Sequence, residues 1–240
     1  MIKPDLAGEP YREFIKWFHR DLGPKSYLEI GTLDGSTLAL STCPTIAIAP
    51  KFLIELGSVV INKPVCYLFQ MLSDDFFAGN DPARLFGRPI DLAFLDGMRR
   101  CEYLLRDFLN TERSCKRNSI ILLHDCIPVE EPMTHRAQGA EAPILEHRRG
   151  WWTGDVWRTV QALKRFRSDL NITAYDAPPT GVVAVTNLNP SSTELANNYQ
   201  RIVHEMLNWK LDLDDYFAEL HIESTSVIDS HDKMTGRFWL

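Results

Sequence analysis

Paired cysteines, long apolar runs and strings of like charge are all missing from this chain. No apolar stretch approaches the ~18 residues of a membrane-spanning helix, and the opening MIKPDLAGEP lacks the apolar core of a secretion signal. Neither export nor a membrane partner is expected. The five cysteines (Cys43, Cys66, Cys101, Cys115 and Cys126) are odd in number, widely spaced and without a CxxC pair. They read as reduced thiols in a cytoplasmic protein, not as a disulfide framework or a zinc site. Lys and Arg number 26 against 32 Asp and Glu, and the basic clusters Arg99-Arg100, Arg148-Arg149 and Lys164 to Arg167 are short and scattered. Phosphate binding needs grouped positive charge, so no nucleic-acid partner is expected and these clusters read as solvated surface. No internal repeat or low-complexity tract is present.

What remains is an ordinary globular composition, 45% hydrophobic and 24% charged over 240 residues, enough for one large domain with a small extension. Short apolar runs at Tyr27–Ile30, Thr45–Ile48, Val65–Gln70, Asp91–Leu95, Ser119–Leu123, Ile172–Asp176 and Val182–Thr186 read as strands. Between them the pattern suits helices at Thr37–Ser41, Lys51–Leu56, Asp74–Phe77, Arg100–Arg113 and Val156–Arg167, after a leading helix at Tyr11–Leu22. Alternating strands and helices imply a mainly parallel sheet covered on both faces. "LAFL" and "SIILL", apolar at consecutive positions, suit strands buried on both sides. Residues 127–153 read as a long loop or lid, and the domain is expected to span 1–190. Residues 191–240 read as a C-terminal helical extension, a cap or a homodimer element.

The stretch SYLEIGTLDGSTL joins a strand to a helix through two glycines. In an open α/β sheet, ligands bind at this end of the strands, where loops diverge. Gly31 is expected to let a ligand approach the backbone. The pattern is E-x-G-x-x-x-G-S and not G-x-G-x-x-G, and no acid ends the second strand. A nicotinamide-dependent oxidoreductase is therefore the less favoured class.

LEIGTLDGST resembles the first motif of class I S-adenosylmethionine-dependent methyltransferases. DLAFLDGMRRCEYLLRDF and SIILLHDC resemble the fourth- and fifth-strand motifs of its metal-dependent O-methyltransferase-like branch. Order and spacing match over roughly residues 20–190. The resemblance implies a Rossmann-like sheet of seven mostly parallel strands with helices on both faces, and transfer of a methyl group to a small-molecule hydroxyl. It places S-adenosylmethionine against Glu29, Gly31, Thr32, Gly35, Ser36, Ser73, Asp74 and Asp96. It gives catalytic roles to His124, Asp125 and Asp96, and implies a divalent cation such as Mg2+ on Asp96 and Asp125.

Two residues depart from that pattern. Ala49 stands where an acid normally receives the ribose hydroxyls, which favours a non-catalytic binding protein of the same fold as the alternative. Cys126 stands where the metal-dependent catechol enzymes have an asparagine, and a thiol is a poor magnesium ligand. His124 is the residue type suited to take a proton from an acceptor hydroxyl. Arg99 and Arg100 read as the solvated start of a helix. Thr153 or Asp155 is expected to cap the helix that follows, Trp157 to pack inward, and Trp151 and Trp152 to lie on the lid side with at least one of them packed in the core.

Overall fold

The computed structural model describes residues 2–240, the side chain of Leu56 excepted. Five parallel strands come first: β1 (Tyr27–Ile30), β2 (Thr45–Ala49), β3 (Cys66–Gln70), β4 (Ile90–Leu95) and β5 (Cys115–His124). They are followed by β6 (Asn171–Tyr175) and β7 (Val182–Thr186), and the sheet order is β3-β2-β1-β4-β5-β7-β6. Only β7 runs antiparallel to its neighbours. Every residue of β1, β2 and β4 is buried, as consecutive apolar residues require when both faces are covered.

Helices cover the two faces unequally. On one side lie α1 (Tyr11–Leu22), whose Phe14, Ile15 and Phe18 meet Tyr27, Leu92, Phe94 and Leu122, and the last helix of the chain. The connections along the sheet carry α2 (Leu56–Val60), α3 (Ser73–Gly79) and α4 (Pro82–Phe86). The opposite face is packed by α5 (Cys101–Arg113) through Leu104, Leu105 and Phe108, and by α6 (Trp157–Phe166) through Trp157, Val160 and Leu163. Trp157 is buried there, as its spacing implies.

The last fifty residues do not stand apart. After α7 (Glu194–Asn197), α8 (Tyr199–Asn208) and α9 (Leu213–Leu220) insert Ile202, Met206, Tyr216 and Leu220 into the core beneath α5 and α6. The final helix, α10 (His231–Arg237), brings Met234, with Phe238 just beyond it, to the α1 side. Among the described residues no helix is long and apolar enough to cross a membrane.

Several local expectations shift. Residues 51–55 are not helical: the Leu53 amide donates to the Leu33 carbonyl (2.8 Å), so this segment lies beside the glycine loop and α2 starts only at Leu56. Thr37–Ser41 shortens to a single 3-10 turn, Leu38–Leu40. Residues 127–153 hold two such turns, Glu131–Thr134 and Glu146–Arg148. They are pinned to the N-terminal arm: Arg148, 1% exposed, binds Asp5 and Glu130, and the Lys3 amide donates to the Val129 carbonyl. Arg148 is thus a buried ionic anchor and not solvated surface.

Candidate active site

Strand register brings the catalytic candidates together. Leu95 of β4 is paired with Leu123 of β5, so Asp96 and His124 are the next residues out at the carboxyl end of adjacent strands. His124 Nδ1 lies 3.2 Å from Asp96 Oδ2 and 3.6 Å from Asp125 Oδ2. Asp125 sits in the left-handed region (φ 58°), unusual for a residue with a side chain. The Thr180 hydroxyl, from the β6–β7 turn, donates to its Oδ1.

These three side chains differ in access. The side chain of Asp96 is 19% exposed, whereas those of His124 and Asp125 are 4% and 5% exposed. The Tyr11 ring covers His124 at 4.2 Å between centroids. Burial lowers the His124 pKa, but the charges of Asp125 and Asp96 outweigh it and the net shift is upward. Burial pushes the Asp125 carboxyl up, against the opposing pull of His124.

In front of Asp96 opens a cavity of about 530 Å3, walled by the ends of β1, β2 and β4 and the start of α3. That size lies within the range of small-molecule sites. Its walls include Gly31, Thr32, Ser73, Asp74 and Asp96 of the expected cofactor set. Glu29, Gly35 and Ser36 are not on them. Glu29 is 1% exposed and receives hydrogen bonds from Tyr27 (2.7 Å) and Thr32 (2.6 Å); burial pushes its carboxyl up. Gly35 backs onto Ile54 and Val59, and the Ser36 amide is held by Asp34. These residues shape the loop from behind. Ala49 ends β2 at the cavity wall, with no acid beside it on that strand end.

Gly31 has a structural task beside the one its pattern suggests. Its φ is +95°, and a Cβ there would lie 2.0 Å from the Asp96 carbonyl oxygen. The glycine lets the ends of β1 and β4 pass each other, and it also lies on the cavity wall.

Five wall or tether residues escaped the sequence: Asp107, Arg106, Tyr199, Gln138 and Arg136. Asp107 of α5 is 2% exposed, and burial pushes its carboxyl from an ordinary 3.8 up to about 7, with the Ser73 hydroxyl pulling the other way. It sits among Leu104, Leu105 and Phe108, so a carboxylate on the apolar face of a helix was the available signal. Arg106 grips Asp74 with two hydrogen bonds (2.8 and 2.7 Å), and Tyr199 of α8 donates to the Glu102 carbonyl beside it. Asp74 is therefore already satisfied by the protein. From the lid, Gln138 and Trp152 complete the wall, and Arg136 ties the lid to Glu102 and Asp155. Asp155 accepts from the Cys101 amide (2.9 Å) and so caps α5; α6, which follows it, has no side-chain cap.

Asp107 gives a pH prediction. Unfolded, the carboxyl releases its proton near 3.8; folded, it keeps the proton to about 7. Its burial therefore costs stability increasingly as pH rises through that window, reaching about 4 kcal/mol above it at ~1.36 kcal/mol per pK unit. Asp107→Asn should raise the melting temperature at pH 8 and bring little gain at pH 4, as thermal unfolding at both pH values would show.

Asp96, His124 and Asp125 place one ligand atom each within 4.8 Å of one another, as a cation site requires. The divalent cation nevertheless does not fit the residues present. The Arg99 guanidinium is already in ion-pair contact with Asp125 Oδ2 through Nε, with a terminal nitrogen 3.8 Å from Asp96 Oδ1. Arg99 is thus no solvated helix start. Cys126 is fully buried, and its thiol donates to the His124 carbonyl (3.2 Å), away from the carboxylates.

No protein-family model and no curated protein matches the chain. Solved structures do. Cofactor-bound Rv0187 from MTB is similar with a TM-score of 0.51 and 16% identity, over 78% of this chain and 84% of that one. An O-methyltransferase from Bacillus cereus in complex with SAH gives 0.51 and 14%, over 76% and 83%. The O-methyltransferase TomG from Streptomyces achromogenes, involved in tomaymycin synthesis and solved with SAM, gives 0.50 and 15%, over 78% and 83%. The chain has the class I methyltransferase fold: a seven-stranded, mostly parallel sheet with helices on both faces.

Proposed function

We propose that this protein is an S-adenosylmethionine-dependent methyltransferase acting on a hydroxyl of a small-molecule acceptor. The observation that carries the reading is the cavity at the ends of β1, β2 and β4, with Asp96 on its wall and His124 directly behind. Bound there, S-adenosylmethionine supplies a methyl group on a sulfonium centre. Ile30, Ile48, Met71 and Leu72 offer it an apolar slot, and Ser73, Asp107 and Thr32 add polar groups to the wall. The remaining work falls to the chain's own groups.

Asp96, the one carboxylate of the pair facing the cavity, takes the acceptor's hydroxyl proton. His124 holds Asp96 and balances its charge from beneath. His124, Asp125 and Asp96 were all candidates; the burial of His124 under Tyr11 supports giving it a positioning role and Asp96 the proton-accepting one. Trp152 and Gln138 close the cavity from the lid side and keep out water.

The test is transfer of a labelled methyl group to a panel of sugars, polyols and phenols. Transfer to oxygen is expected, with a loss of about 10²–10⁴-fold in Asp96→Asn. Full activity in that variant, or transfer only to nitrogen acceptors, contradicts the reading.

A non-catalytic member of the fold is favoured by Ala49 alone. If the ribose hydroxyls lie against this strand end, Ala49→Asp should tighten S-adenosylmethionine binding by about tenfold, since a hydrogen bond to a charged group contributes ~1.5–3 kcal/mol. Calorimetric titration of the variant checks this; unchanged or weaker binding places the ribose elsewhere.

A further inference from the structure

Two carboxylates at the ends of neighbouring strands repel each other unless a positive charge stands between them. In this chain a side chain occupies that place. Arg99 Nε forms an ion pair with Asp125 Oδ2, the same guanidinium reaches toward Asp96 Oδ1 at 3.8 Å, and the Trp152 ring lies 5.7 Å from it. The residue is held by its backbone as well. Gly154, at φ +57°, passes so close to the Arg99 carbonyl that a Cβ would lie 1.8 Å from it. One residue later the Asp155 carboxylate holds the amide of Cys101, just beyond Arg99. The lid and the start of α5 are thus locked together around Arg99, and its guanidinium also lines the cavity.

We propose that Arg99 takes the place of a divalent cation at the Asp96–Asp125 pair, as a positive charge built into the chain. A guanidinium keeps its proton throughout the working range and presents several N–H donors in one plane. It offsets one of the pair's two negative charges, with the His124 ring against both carboxylates beside it, and it cannot dissociate from the chain. In the methyltransferase reading, on which this second role rests, its N–H groups facing the cavity steady the acceptor oxygen as Asp96 takes the proton. A divalent cation at the same oxygens would meet a like charge already in contact with Asp125.

The test titrates Mn2+ alone into the folded protein, followed by the paramagnetic resonance of free and bound ion, so that neither cofactor nor acceptor is needed. The wild type should bind more weakly than about 1 mM, outside the range of dedicated cation sites. Arg99→Met should gain at least about tenfold in Mn2+ affinity by removing the adjacent like charge. The gain should vanish in the Arg99→Met, Asp125→Asn double variant, and Arg99→Lys, which keeps the charge, should behave as the wild type. Tight Mn2+ binding by the wild type that disappears in Asp125→Asn overturns the proposal, as does no gain in a folded Arg99→Met. If Arg99→Met does not fold, the comparison of wild type with Asp125→Asn still decides. A parallel titration with S-adenosylmethionine separates failure of this proposal from failure of the methyltransferase reading.

Discussion

A chain ended after residue 190 is expected to lose its cooperative unfolding transition. Without α8 and α9 the core beneath α5 and α6 loses Ile202, Met206, Tyr216 and Leu220, four buried side chains worth ~1.5–3 kcal/mol each. That sum is comparable with the whole stability of a domain, about 5–15 kcal/mol. Tyr216 is the single residue with most at stake. Its ring meets Trp157 edge-on at 5.8 Å, and its hydroxyl donates to the Cys126 carbonyl (2.8 Å), two residues from Asp96's partner His124. Tyr216→Ala should cost about 3–5 kcal/mol, the range for large aromatic truncations, and lower the melting temperature by about 10 °C. Circular dichroism melts of both proteins check this. A truncated chain that still melts cooperatively near the wild-type temperature shows that these helices are a detachable appendage.

Gly31→Ala should unfold the protein before it weakens any ligand. The new Cβ would be forced against the Asp96 carbonyl at 2.0 Å with the backbone at φ +95°, and the opposing atoms are main chain that cannot swing aside. A left-handed residue with a side chain costs ~1–2 kcal/mol by itself, and the collision adds more. The expected result is low soluble yield or a melting temperature down by more than 10 °C, near the effect of Tyr216→Ala. A variant with wild-type stability and reduced cofactor affinity returns Gly31 to a ligand-contacting role.

Most of the sheet was legible because each strand is a short apolar run bounded by turns, and burial on both faces leaves no polar alternation to confuse the reading. β5 starts earlier than its apolar run because Cys115 pairs with Ile90 across a register shift, which no local pattern announces. Residues 51–55 misled because their apolar side chains suit a helix, while their backbone is engaged by Leu33 of the glycine loop. Asp155 was assigned to the nearest helix in sequence, yet it caps one that starts 54 residues earlier.

The site shows the same limit. Asp96, His124 and Asp125 were readable because each ends an apolar strand, and adjacency of β4 and β5 does the rest. Arg99 was not readable: whether an arginine four residues past a strand is solvated depends on which carboxylate the next strand brings beside it. Glu29 was placed at the cofactor by the family resemblance alone; its buried carboxylate accepts from the Tyr27 and Thr32 hydroxyls, a pairing no local pattern announces. The last fifty residues read as helical, a cap or an oligomerisation element, and a helical pattern alone does not say which core its apolar face fills.

The central claim is that the cavity beside Asp96 holds S-adenosylmethionine, and isothermal titration with this cofactor and with NAD, on the same folded sample, tests it most directly. One S-adenosylmethionine per chain is predicted, with a dissociation constant in the micromolar range typical of enzyme ligands, and no heat from NAD. Binding of NAD, or no S-adenosylmethionine heat from protein that melts cooperatively, contradicts the account.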